Sequence, residues 1–107
     1  MVATLTDFRK IELRVATVKA AELHPNADRL LVLRVDLGGE ERQVVAGIRS
    51  SYEPAALVGK HIVVVANLEP ATLRGVESQG MLLAARDGDR VVVITTDSAV
   101  PAGSQVS

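Results

Sequence analysis

The segment LVLRVDLGGEERQVVAGIRSSYEPAALVGKHIVVVA, residues 31–66, carries the pattern that predicts the fold. Apolar and other residues alternate from Leu31 to Leu37, as they do in a strand with one buried face. Gly38-Gly39-Glu40-Glu41 predicts a hairpin turn, and Arg42 to Ala46 predicts the returning strand. The segment therefore opens with a predicted antiparallel pair.

The second half of this segment changes character. Ser50 to Leu57 predicts a short helix, in which Ser51 would act as the cap and Pro54 suits the first turn. Gly59 would end the helix. Ile62 to Ala66 is a continuous apolar run with three valines, which predicts a buried strand.

Further strand patterns lie on both sides of this segment. Ile11 to Glu22 begins with alternation and is long enough to curl across a barrel, whereas Met81 to Ala85 and Val91 to Ile94 predict shorter strands. Asp87-Gly88-Asp89 predicts a tight turn between the last two. The all-β OB-fold has this order of elements: three strands, a helix and then further strands. The sequence therefore predicts a five-stranded OB barrel with a short helix after strand 3 and extra C-terminal strands. A β-sandwich is the competing architecture.

The bulk composition favours one soluble domain, residues 1–107. At 48% hydrophobic residues, a chain of 107 residues can bury a core without disulfides, and it contains no cysteine. No secretory signal is visible near Met1, and no apolar run approaches the ~18 residues that span a membrane. We therefore expect a cytoplasmic protein. Met1 and the orderly end at Ser107 favour a free-standing protein over the tail of a larger one.

Charge and aromatic content limit how the chain could bind nucleic acid. The formal net charge is −1, and Phe8 and Tyr52 are the only aromatic residues. Between residues 42 and 86, five basic residues outnumber three acidic ones. A solvated surface of mixed charge explains this excess equally well. Since the chain offers no platform for stacked bases, a nucleic-acid partner would have to be recognised by its backbone and shape.

No motif for catalysis or for metal binding is evident. His24 and Asp28 stand four residues apart without a third ligand, and catalytic zinc usually takes three protein ligands. Gly59-Lys60 is followed by His61 and lacks the upstream glycine and the hydroxyl residue of a P-loop. There is no G-x-S-x-G elbow. We therefore expect a protein without catalytic residues, cofactor or metal.

The segment LRGVESQGM, residues 73–81, is the candidate for a binding loop. It is polar, contains Gly75 and Gly80, and lies between two apolar strand patterns. Such glycines suggest a shaped loop that holds Arg74 and Ser78 toward a ligand. An ordinary strand connection is the alternative explanation.

Seven blocks taken in order carry a resemblance to a known family. They are Phe8–Val15, His24–Leu30, Val44–Ile48, Tyr52–Pro54, Leu57–Lys60, Ala66–Leu68 and Leu73–Met81. Together they resemble the tRNA-binding domain at the C-terminus of many methionyl-tRNA synthetases and its free-standing, structure-specific tRNA-binding relatives. The resemblance extends from about residue 7 to residue 103.

The resemblance implies an OB barrel that forms a homodimer and binds the outer corner of the L-shaped tRNA without catalysis. The chain would act alone or as the tRNA-binding domain of methionyl-tRNA synthetase, which is itself a possible partner. The implied RNA contacts are Asn26, Arg29, Lys60, Asn67, Arg74, Ser78, Gly80 and Met81. Arg29 and Arg74 would meet phosphates, and we expect Arg74 and Ser78 to face the same way as Asn26 and Arg29.

Two other functions compete with tRNA binding. Related OB domains resemble a dimeric chaperone, so a protein-interaction module is the first alternative. The Leu73–Met81 loop follows the tRNA-binding pattern and favours RNA. The second alternative is an enzyme, but the sequence offers no convergent acid and base.

Overall fold

The fold consists of ten short strands and two short helices. The computed structural model describes all 107 residues. Its elements are α1 (Leu5–Arg9), β1 (Leu13–Leu23), β2 (Leu31–Asp36), β3 (Glu41–Ala46), α2 (Pro54–Leu57), β4 (His61–Val65), β5 (Ala71–Leu73), β6 (Val76–Ser78), β7 (Met81–Leu82), β8 (Ala84–Asp87), β9 (Arg90–Val93) and β10 (Gln105–Val106). Neither helix has the length or apolar character needed to cross a membrane.

Five strands form the barrel sheet in the spatial order β3-β2-β1-β4-β7, and β10 pairs with the start of β1. The open side between β3 and β7 is bridged by the residue after β6, where the Gln79 N–H donates to the Gln43 carbonyl at 2.7 Å. The hairpins β5–β6 and β8–β9 stand outside this sheet. The predicted OB barrel, with its helix after strand 3 and its additional C-terminal strands, is confirmed, and the sandwich is not the architecture.

β1 bends because its two halves pair with different neighbouring strands. Its first part pairs with β4 from Leu13 to Thr17, and its second part pairs with β2 from Thr17 to Leu23. The register with β2 shifts between Val18 and Ala20, and such a bulge increases the local bend of a strand. The turn that follows β1 therefore leads into Leu31 of β2, which pairs with Ala46 at the end of β3.

The core lies inside the barrel, and α2 closes it. Leu57 of α2 is 0% exposed, which contributes roughly 1.5–3 kcal/mol of hydrophobic stabilisation relative to an exposed leucine. The helix begins at Pro54, and its N-cap residue is Glu53. The prediction that Ser51 caps α2 is wrong, because its Oγ accepts a hydrogen bond from the Val91 N–H at 2.9 Å. A residue before proline is driven into extended backbone, which fixes the start of the helix.

Three local elements differ from the sequence predictions. Helix α1 was not expected; Thr4 and Asp7 form its capping box, and none of its residues is buried. The polar segment 73–81 contains most of a β-hairpin instead of an open loop. The C-terminal turn continues into β10, which adds to the barrel edge beside β1.

Candidate nucleic-acid interface

The β5–β6 hairpin presents Arg74 at its tip. Leu73 pairs with Val76, so Arg74 and Gly75 are the two central residues of the turn. Their φ angles are 53° and 89°, and positive φ at both central positions is the pattern of a type I′ turn. Arg74 is the only residue other than glycine with positive φ. Left-handed backbone costs an ordinary residue about 1–2 kcal/mol, so the turn holds an exposed arginine where glycine or asparagine would be less strained.

The hairpin tip is hydrogen-bonded to the turn between β1 and β2. The His24 ring contacts both, since its Nε2 lies 2.9 Å from the Leu73 carbonyl and its Nδ1 accepts from the Asn26 N–H at 2.9 Å. The Arg74 Nη2 donates to the Asn26 carbonyl at 3.2 Å. The β1–β2 turn and the connection from β4 to β7 are the loops with which OB-folds commonly bind oligonucleotides.

Asn26, Arg29 and Arg74 line one open depression at this junction, together with Ala27, Asp28 and Leu30. We call this surface the junction face. No carboxylate lies within ion-pair distance of Arg29 or Arg74. Arg9, Lys19, Lys60 and Arg86 likewise form no ion pair, whereas the other six basic residues do: Lys10, Arg14, Arg34, Arg42, Arg49 and Arg90. The Arg74 guanidinium makes one hydrogen bond to protein and keeps most of its five donors for an anionic ligand.

Ser78 does not share the junction face. It is 4% exposed, and its Oγ accepts from the Val45 N–H at 2.9 Å and donates to the Gly80 carbonyl at 2.8 Å. The expectation that Ser78 points the same way as Arg74 is therefore wrong, because β3 offers its side chain an unpaired N–H. The hydroxyl has no remaining proton to donate, so a hydrogen bond from Ser78 to RNA would require breaking its bond to the Gly80 carbonyl.

Gly80 is held against the barrel. Its φ is +150°, and a Cβ at this position would lie 3.1 Å from both the Val64 Cγ1 and the Val65 carbonyl oxygen. Glycine is therefore required here so that the chain can pass close to β4. Gly80, which the resemblance implied as an RNA contact, makes its close approach to the protein's own backbone.

Met81 follows on the exposed edge of the barrel and lines a second depression. Its neighbours there include Gly47, Ile48, Leu82 and Arg86. The loop that follows β3 connects this depression to the junction face, since the Arg49 N–H donates to the Arg29 carbonyl. Met81 therefore offers apolar surface in a separate depression, which the loop after β3 links to the junction face.

Asn67 and Lys60 lie apart from the junction face. The Asn67 side chain accepts from the Glu12 N–H at 2.8 Å and donates to the Lys10 carbonyl at 2.7 Å, and both partners precede β1. Asn26 follows the other end of that strand. Lys60 is exposed before β4, where its carbonyl accepts from the Val18 N–H. The structure therefore does not bring all the predicted contacts to one place.

A family model described as "Putative tRNA binding domain" matches residues 13–105. The chain belongs to this tRNA-binding domain family. Among curated proteins, it is 56% identical over 104 residues to the methionine–tRNA ligase of Thermotoga maritima and 53% identical over 100 residues to that of Thermococcus kodakarensis. These alignments cover 97% and 94% of the chain but only 16% and 14% of the two ligases. The chain therefore spans about one sixth of the length of these relatives.

Solved structures of other proteins show the same domain. A methionyl-tRNA synthetase related protein from Pyrococcus horikoshii superimposes with a TM-score of 0.93 at 39% identity, covering 100% of this chain and 99% of that one. A structure of the chaperone CsaA from Bacillus anthracis superimposes with a TM-score of 0.91 at 30% identity, covering all of both chains. The resemblance to the tRNA-binding domain family and the OB-fold prediction are both confirmed.

The tRNA-binding domain also uses residues that the sequence did not single out. Gln43 holds the base of the β5–β6 hairpin with two hydrogen bonds. Its side-chain Nε2 donates to the Glu77 carbonyl at 2.8 Å, and its backbone N–H donates to the Gln79 Oε1 at 2.9 Å. Arg42 donates to the carbonyls of Ala66 and Gln79. Arg42 and Gln43 are consecutive residues of β3 and point to opposite faces of the strand, and nothing in the sequence indicated their distant partners. The domain brings together no group of three side chains that could hold a metal ion.

Proposed function

We propose that this domain binds tRNA, without catalysis and in the cytoplasm, through its junction face. The observation that carries the proposal is the hydrogen-bonded junction between the β1–β2 turn and the β5–β6 hairpin. It places Asn26, Arg29 and Arg74 around one open depression, and the one carboxylate that lines this depression, on Asp28, forms no ion pair with either guanidinium group. Guanidinium groups bind phosphate oxygens with paired, charge-assisted hydrogen bonds.

The chemistry of this face suits recognition of the shape of a folded RNA better than recognition of its bases. Neither aromatic ring lines the junction face: Tyr52 packs against the core with its hydroxyl bonded to the Val93 N–H, and Phe8 is exposed on α1. Side chains that contact phosphates and 2′-hydroxyls recognise RNA geometry instead. We therefore propose the outer corner of the tRNA as the ligand surface, where two backbone segments come close together.

The residues have separate roles in this proposal. Arg29 and Arg74 bind phosphates, and Asn26 hydrogen-bonds a sugar or phosphate oxygen with its exposed amide. Met81 supplies apolar contact at the edge, whereas Ser78 and Gly80 hold the base of the hairpin. Lys60 and Asn67 would add contacts only if the RNA extended along the barrel; these two are peripheral in the proposal.

Equilibrium binding across a salt series tests this function. We expect tRNA affinity to fall linearly on logarithmic axes as salt rises, with a slope of about −2 if two phosphates are neutralised. An isolated RNA duplex of similar length should bind more weakly than the intact tRNA, because it lacks the corner. Affinity that is independent of salt would contradict the phosphate contacts, and equal affinity for the duplex would contradict recognition of the corner.

We also propose that the domain forms a homodimer through α1. The helix has no buried residue; Leu5 and Phe8 are exposed three residues apart on it, and Ile11, just after its C-cap, is exposed as well. A second copy of the chain would bury this apolar face. Light scattering should give twice the monomer mass for the unmodified chain and the monomer mass for Phe8→Glu. The control Val58→Glu, at another exposed apolar residue, should remain dimeric; a monomeric unmodified chain at micromolar concentration would exclude the dimer.

A protein-interaction function is the second candidate. The observation that favours it is the similarity to CsaA, together with the largely apolar depression beside Met81. Competition separates the two functions: excess unfolded polypeptide should leave tRNA binding unchanged if the junction face is specific for RNA. Displacement of tRNA by polypeptide would favour the chaperone-like function. In either case the domain could act alone or as part of a methionyl-tRNA synthetase.

A further inference from the structure

His24 is a buried histidine whose two ring nitrogens both contact backbone. The residue is 6% exposed, and apart from Ser78 it is the only polar residue buried in the chain. The Asn26 N–H can only donate, so Nδ1 must present its lone pair. The Leu73 carbonyl can only accept, so Nε2 must carry the proton. The two partners therefore select the neutral imidazole with its proton on Nε2.

We infer that neutral His24 is a positioning residue that holds the two halves of the junction face in register. One partner, Asn26, belongs to the face itself, and the other, Leu73, directly precedes Arg74. The consequence for RNA rests on the proposed function, whereas the junction itself is a property of the protein without RNA. The hydrogen bond from Arg74 to the Asn26 carbonyl is a second link, so losing the histidine loosens the face without detaching the hairpin.

Protonation of His24 would break this junction. A proton on Nδ1 would make that atom a second hydrogen-bond donor facing the Asn26 N–H, whose nitrogen lies 2.9 Å away, and the two donors would repel each other. The charged groups around the ring are Asp28 on its own turn, Arg49 on the loop after β3, and Arg74 on the hairpin. Two of these three are cations, and a third positive charge would add repulsion between the elements that the ring joins. Binding of tRNA is therefore expected to weaken on acidification.

Two substitutions separate the two hydrogen bonds. The Oδ1 of asparagine in His24→Asn can accept from the Asn26 N–H in an Asx-turn but cannot reach Leu73. The amide of glutamine in His24→Gln can reach the Leu73 carbonyl but leaves no acceptor near the position of Nδ1. We expect each variant to bind tRNA about fivefold to tenfold more weakly, the equivalent of one ordinary hydrogen bond. His61→Gln is the matched control, since His61 joins neither half of the face.

The deciding readouts are ring nitrogen shifts in the RNA-free protein and the pH profile of tRNA affinity. We expect the Nε2–H tautomer in NMR spectra, and amide shifts at Asn26 and Arg74 that move together as the pH is lowered. Affinity should fall with the pH in the unmodified chain and in His61→Gln, and should be flat in His24→Gln.

Four outcomes distinguish failure of the junction from failure of the proposed function. An Nδ1–H tautomer, or the same pH profile in His24→Gln as in the unmodified chain, would overturn the role of His24. Loss of affinity that only followed a loss of folded protein would also overturn it. Coupled shifts without any binding of tRNA would support the junction and overturn the proposed function.

Discussion

Replacing Arg74 with asparagine is expected to weaken tRNA binding about tenfold while leaving the domain at least as stable, because a hydrogen bond to a charged group is worth roughly 1.5–3 kcal/mol. Asparagine tolerates left-handed backbone better than arginine does, so the type I′ turn with φ of 53° is kept. Lower affinity combined with unchanged or higher stability is the signature of a residue retained for binding at a cost in strain. Calorimetric titration and urea unfolding measure the two quantities.

Adding Arg29→Ala to Arg74→Asn should reduce tRNA affinity about a hundredfold. The dependence of affinity on salt should also become shallower, and its logarithmic slope should rise by about two, one for each phosphate contact removed. The control is Arg90→Ala, which removes one positive charge from the β8–β9 hairpin, where Arg90 pairs with Asp87. This control should change affinity less than about twofold, since an exposed charge distant from the site is largely screened. Equal effects of Arg90→Ala and Arg74→Asn would mean that net charge, and not the junction face, determines binding.

Gly80→Ala is expected to destabilise the domain by about 3 kcal/mol, from a backbone conformation that only glycine adopts easily and from overpacking against β4. The added methyl would lie 3.1 Å from the Val65 carbonyl oxygen, and a strand backbone cannot move away cheaply. A change of this size lowers the melting temperature of a domain of this length by roughly 15 °C. The Gly80 carbonyl also accepts from Ser78, so the base of the hairpin should shift and tRNA affinity should fall as well.

Gly39→Ala separates the two causes of destabilisation, which are backbone strain and overpacking. Gly39 has a φ of +94°, but no atom lies within 4 Å of the place where its Cβ would be. It should therefore show only the backbone term, about 1 kcal/mol, and no change in tRNA affinity. If Gly80→Ala were no less stable than Gly39→Ala in urea unfolding, the packing of Gly80 against β4 would not be what holds the hairpin base.

The barrel was predictable from sequence because its signals are local. The run of β-branched residues in β4, the alternation in β2 and the glycine pair before β3 each indicate their element within a few residues. The β5–β6 hairpin was not predicted, because an arginine occupies the first central position of a type I′ turn, where asparagine or glycine is usual. The hydrogen bonds that join the hairpin tip to the β1–β2 turn hold a conformation that the local propensity of Arg74 disfavours.

The candidate site was predicted in part, since side-chain direction depends on distant partners. Asn26, Arg29 and Arg74 meet as the resemblance implied. Ser78 turns inward because the N–H of Val45, 33 residues away in sequence, takes its hydroxyl. His24 was considered only as a metal ligand, and nothing in the sequence pointed to Leu73, 49 residues away, as its partner. Such pairings arise when the bend in β1 brings the two loops together.

The central claim is that the junction face contacts tRNA, and amide chemical-shift mapping during a tRNA titration tests it most directly. We predict that the largest shifts fall at residues 24–30 and 73–76, which the structure joins through His24 and Arg74. Residues 47–49 and 81 should shift less, and the β8–β9 turn at 88–89 should not shift. Shifts confined to the Lys60 side of the barrel, with residues 24–30 unchanged, would contradict the account.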